Sequence, residues 1–226
     1  MGRLLRWSAV VIVAALVASC GDDGGSTPES TGPDPARDRA VADAAAFHLY
    51  DFPTAWKEID FEALGAPPTM ETLAQCLGES SEPTAEVLRG YRFGAGINEV
   101  AVSQVRMLPT LAAAQAEIAP TVTPEFVPCV ADKVKGLLSA SMDEGLSVAE
   151  VTGTGDNVSF GGANGVGVDM LARITSPTGE RTIYPAAVFL QKGRAVVIIT
   201  LLSNNRSVSD TRRALSASVA GRLPAE

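Results

Sequence analysis

Few residues in this chain have the types and spacing that chemistry demands. A serine or cysteine nucleophile needs a partner base, and His48 is the only histidine in 226 residues. Its neighbours Phe47, Leu49 and Tyr50 make it read as a structural imidazole, and no G-x-S-x-G turn accompanies it. Asp143-Glu144 and Asp156-Asn157 lack the ligand spacing of a calcium loop, and a zinc ion would have no histidine cluster to hold it. Gly94 with Gly96, and Gly153 with Gly155, complete neither phosphate-loop motif and read as turn or loop glycines. Glu79 and Glu82 lie in an acidic stretch, where a solvated face is the simpler reading than a glycosidase pair. No catalytic residue, metal or cofactor is therefore implied.

The cysteines carry more information. Arg3 and Arg6, the apolar stretch from Ala9 to Ala18 and the small residues before Cys20 have the three-part order of an export signal. The stretch is about half the length of roughly 20 residues that a spanning helix needs. Val17-Ala18-Ser19-Cys20 resembles the lipobox of bacterial lipoproteins, in which the cysteine is acylated and the chain is cut before it. The resemblance implies a signal peptide over 1–19 and lipid on Cys20. Two or more acyl chains, at about 0.8 kcal/mol per buried methylene, then hold the protein stably at the outer face of the cytoplasmic membrane. The residues that follow are polar and rich in Gly, Ser and Pro, so 20–37 reads as the lipidated cysteine and a flexible tether, with a domain over 38–226. A tether of that length has a root-mean-square reach of roughly 20–25 Å.

Loss of residues 1–19 removes Arg3 and Arg6 and no acid, so the formal charge passes from -8 to -10. With no basic stripe, this excludes nucleic acid as an expected partner; Arg206, Arg212 and Arg213 read as a solvated helix face. Cys76 and Cys129 remain once Cys20 is lipidated, lack C-x-x-C spacing, and are expected to form a structural disulfide in an oxidising compartment. Trp56, the one tryptophan left after processing, is a weak candidate for lining a ligand pocket.

Positioning these residues is the work of an α+β domain. Val41–Trp56 reads as an alanine-rich run leading into an extended segment stopped at Pro53, and Thr69–Leu77 as a short helix capped by Thr69. Glu99–Met107 alternates through Val100 and Val102, then changes phase to Val105 and Met107, which suggests a bulge near Ser103 and Gln104. A helix over Leu111–Ile118 follows Pro109-Thr110. In the next, Phe126, Val130, Val134, Leu137 and Leu138 share one face with Cys129. Strands over Val166–Ile174, Ile183–Leu190 and Ala195–Leu202 follow, the last too uniformly apolar for an edge and so central. A closing helix, capped near Ser207 or Ser209, carries Leu215, Val219 and Leu223 towards the sheet.

In order, Asp51-Phe52-Pro53 with Trp56, Cys76-Leu77-Gly78, the strand and helix before Cys129 and the hairpin Val188–Val197 resemble landmarks of actinobacterial exported, lipid-anchored proteins of poorly defined function. The resemblance extends to PsbP-like α+β domains and extracytoplasmic sensor domains of the PknH type. It implies a single antiparallel sheet covered by helices, and no catalytic residue. The expectation is a non-catalytic envelope module that binds an unknown small ligand or an envelope protein. The alternative is an envelope enzyme whose active site leaves no local signature.

Overall fold

Nine residues, Ala195 to Ser203, apolar except for Thr200 and Ser203, form the middle strand of the molecule, with five residues in a row buried from Ala195 to Ile199. The computed structural model describes residues 32–61, 68–79, 81–94, 99–140, 142, 145–204 and 208–224. The export signal, Cys20, the tether up to residue 31, Gly96, Asp143, Glu144, Arg206 and Ser207 lie outside them.

Among the described residues there are seven strands: β1 (Trp56–Glu58), β2 (Ala85–Phe93), β3 (Glu99–Met107), β4 (Ser147–Phe160), β5 (Ala163–Ser176), β6 (Gly179–Lys192) and β7 (Ala195–Ser203). Five α-helices accompany them: α1 (Pro35–Ala45), α2 (Pro68–Ala74), α3 (Leu111–Ile118), α4 (Phe126–Ala140) and α5 (Ser209–Arg222). The sheet is antiparallel throughout, in the order β1-β2-β3-β7-β6-β5-β4. The fold is thus α+β, and Pro33–Glu226 forms one compact unit.

Alternation along the strands divides the core into two layers. Ile198, Phe189, Val168 and Val102 face α2 and α4, whereas Val197, Ile199, Val188 and Leu190 face α1 and α5. A smaller cluster of Leu108, Ala114 and Val196 lies under α3. With helices on both faces, β3 and β7 are buried on both sides, and this removes the need for a bulge in β3. Its pairing with β2 and β7 runs without interruption from Glu99 to Met107. The change of phase comes from polar side chains at inward positions: Gln104 donates to Glu86, and Arg106 forms a buried ion pair with Glu117 of α3.

Other expectations are corrected. The first helix begins inside the stretch read as tether, because Asp34 accepts from the Ala36 and Arg37 amides and Pro35 occupies the first turn. Val41–Ala45 is therefore helical, and a 3₁₀ turn follows at Leu49–Asp51. Helix α2 starts at Pro68, one residue before its expected cap. The Ser209 hydroxyl donates to Asp169 instead of capping α5. Gly153 and Gly155 are strand residues of β4, and Arg212 is buried.

Three carboxylates tie the N-terminal segment to the sheet and to α5. Asp38 of α1 is 2% exposed and takes both guanidinium nitrogens of Arg194, at 2.6 and 3.0 Å, with the Thr84 hydroxyl. Asp51 pairs with Arg222 at 2.7 and 3.0 Å and accepts from Ser218 and the His48 amide. Asp43 meets Arg89 at 2.7 Å. The hydrogen bond from Arg194 holds Asp38 below its ordinary 3.8, against the opposing effect of burial. At Asp51 burial pushes upward, but Arg222, the His48 amide and Ser218 together outweigh it and the carboxyl is again lowered. Groups lowered in the folded state stabilise it above their unfolded value, and that stability is lost as pH falls through the folded one. Thermal denaturation is expected to show a midpoint that holds from neutral pH to about 5 and falls below about 4. Asp38→Asn should lower the neutral midpoint and flatten this fall; an equally steep fall in the variant would remove Asp38 from the account.

Candidate functional site

The strongest candidate is an apolar pocket on the α2 and α4 side of the sheet. Its floor is two cross-strand rows. Val102 of β3, Thr200 of β7 and Ala187 of β6 stand side by side in register, and the next row places Val100, Leu202 and Pro185 together. Leu73 of α2 and Val134, Leu137 and Leu138 of α4 form the walls, and Met170 of β5 joins them.

The pocket exists because α4 packs chiefly on β4 and, among the described residues, leaves the ends of β3, β7 and β6 without a helix above them. The apolar stripe of α4 explains how its wall is supplied. Phe126, Val130 and Val134 are buried, while Leu137 and Leu138, at the far end, remain part-exposed where the stripe runs out over the pocket. The cavity measures about 260 Å³, and among the described residues none that lines it is charged. Thr200 contributes the one side-chain hydroxyl among the described residues of the lining. Such a site cannot balance a buried charge, so the part of a ligand that enters it must be uncharged.

Cys76 and Cys129 are brought together as a disulfide, with Cα atoms 5.9 Å apart. The bond links the residues just after α2 to the first turn of α4, so it joins two walls of the pocket. Gly78 follows it closely against α3, where an added Cβ would meet the Ala116 carbonyl at 2.3 Å.

Trp56 does not line this pocket. Its ring stacks on Phe52 at 4.6 Å and approaches Phe93 at 6.2 Å, beside a cleft of about 20 Å³ shared with Glu99, Leu201 and Val208. That space holds little more than one water. His48 stacks on Tyr50 at 5.0 Å, and its Nε2 lies 3.3 Å from the Ala44 carbonyl. Among the described residues, no three His, Cys, Asp or Glu side chains converge as metal ligands.

The buried cation was missed by the sequence reading. Arg212 of α5 is 1% exposed and meets Asp156 of β4 at 2.8 Å and Asp169 of β5 at 3.1 Å. It lies over Gly167, which pairs with Asp156 across the two strands. A signal was present: Arg212 falls on the same helical stripe as Leu215, Ser216, Val219 and Ala220, all buried.

No family model matches the chain, and no curated protein matches it. Among solved structures, it is similar to an uncharacterized protein from Mycobacterium smegmatis, at 15% identity and a TM-score of 0.39, covering 82% of this chain and 97% of that one. A protein of unknown function from Pseudomonas aeruginosa matches at 14% identity and a TM-score of 0.28, covering 65% of this chain and 86% of the other. The Ran-binding protein Mog1p of Saccharomyces cerevisiae matches at 11% identity and a TM-score of 0.33, covering 79% of this chain and 90% of that one.

Proposed function

We propose that the chain is a non-catalytic binding module, held by lipid on Cys20 at the outer face of the cytoplasmic membrane, that takes an uncharged apolar small molecule between α2, α4 and the sheet. The observation that carries the binding reading is the pocket of about 260 Å³ with no charged residue among the described residues of its lining. Its size falls just below the roughly 300–1,000 Å³ of sites that enclose drug-sized molecules, which fits a small ligand or one arm of a larger one. Burial of ligand surface supplies about 2.5 kcal/mol per 100 Å² of apolar area removed from water. The membrane reading is supported by the lipobox-like Val17-Ala18-Ser19-Cys20 and the polar residues behind it.

One experiment addresses both halves. Native mass spectrometry compares the wild-type chain, extracted from membranes, with a Cys20→Ser form recovered without detergent. The wild type is expected to begin at Cys20 and to carry covalent acyl mass that the variant lacks. Both forms are expected to release an apolar adduct on denaturation, and Ala187→Phe, which fills the floor, should lose it and bind the uncharged dye Nile red at least tenfold more weakly. Leu138→Asp at the part-exposed rim is a second variant, chosen so that a folding defect in the first does not decide the result. A wild-type chain that carries no acyl mass would overturn the anchor. Dye binding unchanged in both pocket variants would overturn the ligand site.

A further inference from the structure

Pro185 stands where a sheet does not ordinarily admit proline. It is buried in β6, which runs between β5 and β7, whereas proline in sheets is confined to edges, strand starts and bulges because it cannot donate to a ladder. On the β7 side the pairing continues past it, with Tyr184 opposite Ser203 and Pro185 opposite Leu202. On the β5 side the ladder is interrupted. Asp169 pairs with Ala186 and Ala172 with Ile183 in one register, and the two pairs between them are missing.

The register identifies the bond that is lost. Antiparallel pairs alternate between those that exchange both backbone hydrogen bonds and those that exchange none. The tight turn at Pro177-Thr178 closes on Ser176 and Gly179, whose bond across the turn makes them an exchanging pair. Every second pair from there exchanges bonds too, which sets Ala172 against Ile183 and Met170 against Pro185. The Met170 carbonyl is therefore the acceptor whose ladder donor is the amide at position 185, and proline has no N–H. By the same register Met170 joins the row of Pro185, Leu202 and Val100 on the pocket side of the sheet, and all four line the pocket. The pocket also reaches the main chain here. Ala186 and Leu201 line it although their side chains lie in the layer facing α1 and α5, so they do so with backbone atoms. A carbonyl that lacks its ladder donor thus sits in the floor of a cavity whose described lining carries no charge.

We infer that the ligand of this pocket is an uncharged apolar molecule carrying a hydroxyl, which lies over the gap between β5 and β6 and donates to the Met170 carbonyl. The inference rests on the ligand pocket proposed above and adds the polar group of its ligand. A backbone carbonyl shut away from water costs free energy unless a donor reaches it, so a ligand that fills the pocket without a donor binds more weakly than one that brings it. An ammonium group is a poorer donor here because it needs an acid to balance its charge. An amide N–H brings a carbonyl that needs a second donor of its own. Hydrocarbon fills the rest of the cavity, against Leu73, Val134 and Leu138. Pro185 keeps the acceptor open, since any other residue at that position supplies an N–H that closes the ladder.

The test uses the full-length Cys20→Ser chain recovered without detergent, so that no lipid competes for the probes. Nile red is displaced from it by octanol and, separately, by methyl octyl ether, which has the same chain and an oxygen but no O–H. The pair is then run on Pro185→Ala and Pro185→Val in the same chain. Both variants supply the missing amide, and the valine keeps much of the bulk of the ring, so that agreement between them separates the N–H from a change in the shape of the floor. The parent chain is expected to prefer the alcohol to the ether by a ratio at least fivefold larger than either variant shows. Taking the ratio within each chain cancels the water solubility of the probes and any general change in the cavity. Hydrogen exchange should find the new amide at position 185 protected in both variants. Dye that is displaced with the same alcohol-to-ether ratio in all three chains would overturn the hydroxyl and leave the pocket standing. Free exchange of the amide at position 185 in both variants would overturn it as well, because the Met170 carbonyl would not be the acceptor. If Nile red does not bind the parent chain, the pocket itself falls and this inference with it.

Discussion

Gly167→Ala is expected to destabilise the domain by about 3 kcal/mol or more. Gly167 is buried in β5, and an added Cβ would lie 1.3 Å from Nη1 of Arg212, 2.5 Å from its Cζ and 2.9 Å from Oδ1 of Asp156. None of these atoms has a simple retreat. The guanidinium is held between Asp156 and Asp169, and its helix is fixed by Leu215, Val219 and Ala220 in the core. Displacement would leave a buried cation without its partners, which costs about 3–5 kcal/mol where such pairs are broken. The glycine is thus the space in which Arg212 lies. A double-mutant cycle by urea denaturation separates this from an intrinsic strand effect. In an Arg212→Ala background the space is vacated, and Gly167→Ala should cost under about 1 kcal/mol, since alanine also loses less chain entropy on folding than glycine. Equal costs in both backgrounds would dissociate Gly167 from Arg212.

The same glycine shows where the sequence was readable and where it was not. Patterns that depend on one segment and water came through: the apolar run of β7 that must be central, the tight hairpin before it, and the stripe on α4 that carries Cys129 inward. Patterns that depend on a second segment did not. Gly153 and Gly155 occupy alternate positions of an exposed strand, and glycine there signals a loop unless one knows that Val127 lies above. In β2, Gly90 breaks the run in the same way, because the Phe61 ring takes the place of its side chain. Arg106 and Arg212 are charged residues at inward positions, legible only with Glu117, Asp156 and Asp169 in place. The Asp34-Pro35 start of α1 was a local signal, hidden by the tether-like composition before it. The pocket had no sequence signature at all. It is the area of sheet that α4 leaves uncovered, and its residues come from six different elements, α2, α4 and the strands β3, β5, β6 and β7.

Replacement of Cys76 and Cys129 by alanine should cost a similar stability but change function differently. The bond closes a loop of 53 residues in sequence separation. Loop-closure entropy for that length corresponds to about 4 kcal/mol at 25 °C, before any residual structure in the unfolded chain reduces it. Its location gives the second consequence. Leu73 lies three residues before Cys76 and Val134 five after Cys129, so the bond holds opposite walls of the pocket at a fixed separation. Without it, α2 keeps only seven helical residues and few buried side chains to dock it, and local opening of that wall becomes easier than global unfolding. The double alanine variant is expected to lose about 4 kcal/mol in urea denaturation and to bind Nile red at least fivefold more weakly at temperatures where it remains folded. Gly167→Ala supplies the control, because Arg212 packs on the opposite face of the sheet: it should lose comparable stability and keep the dye's affinity. Equal affinities in the two variants would separate the disulfide from the pocket, and a stability loss below about 1 kcal/mol would mean that the unfolded chain is already constrained without it.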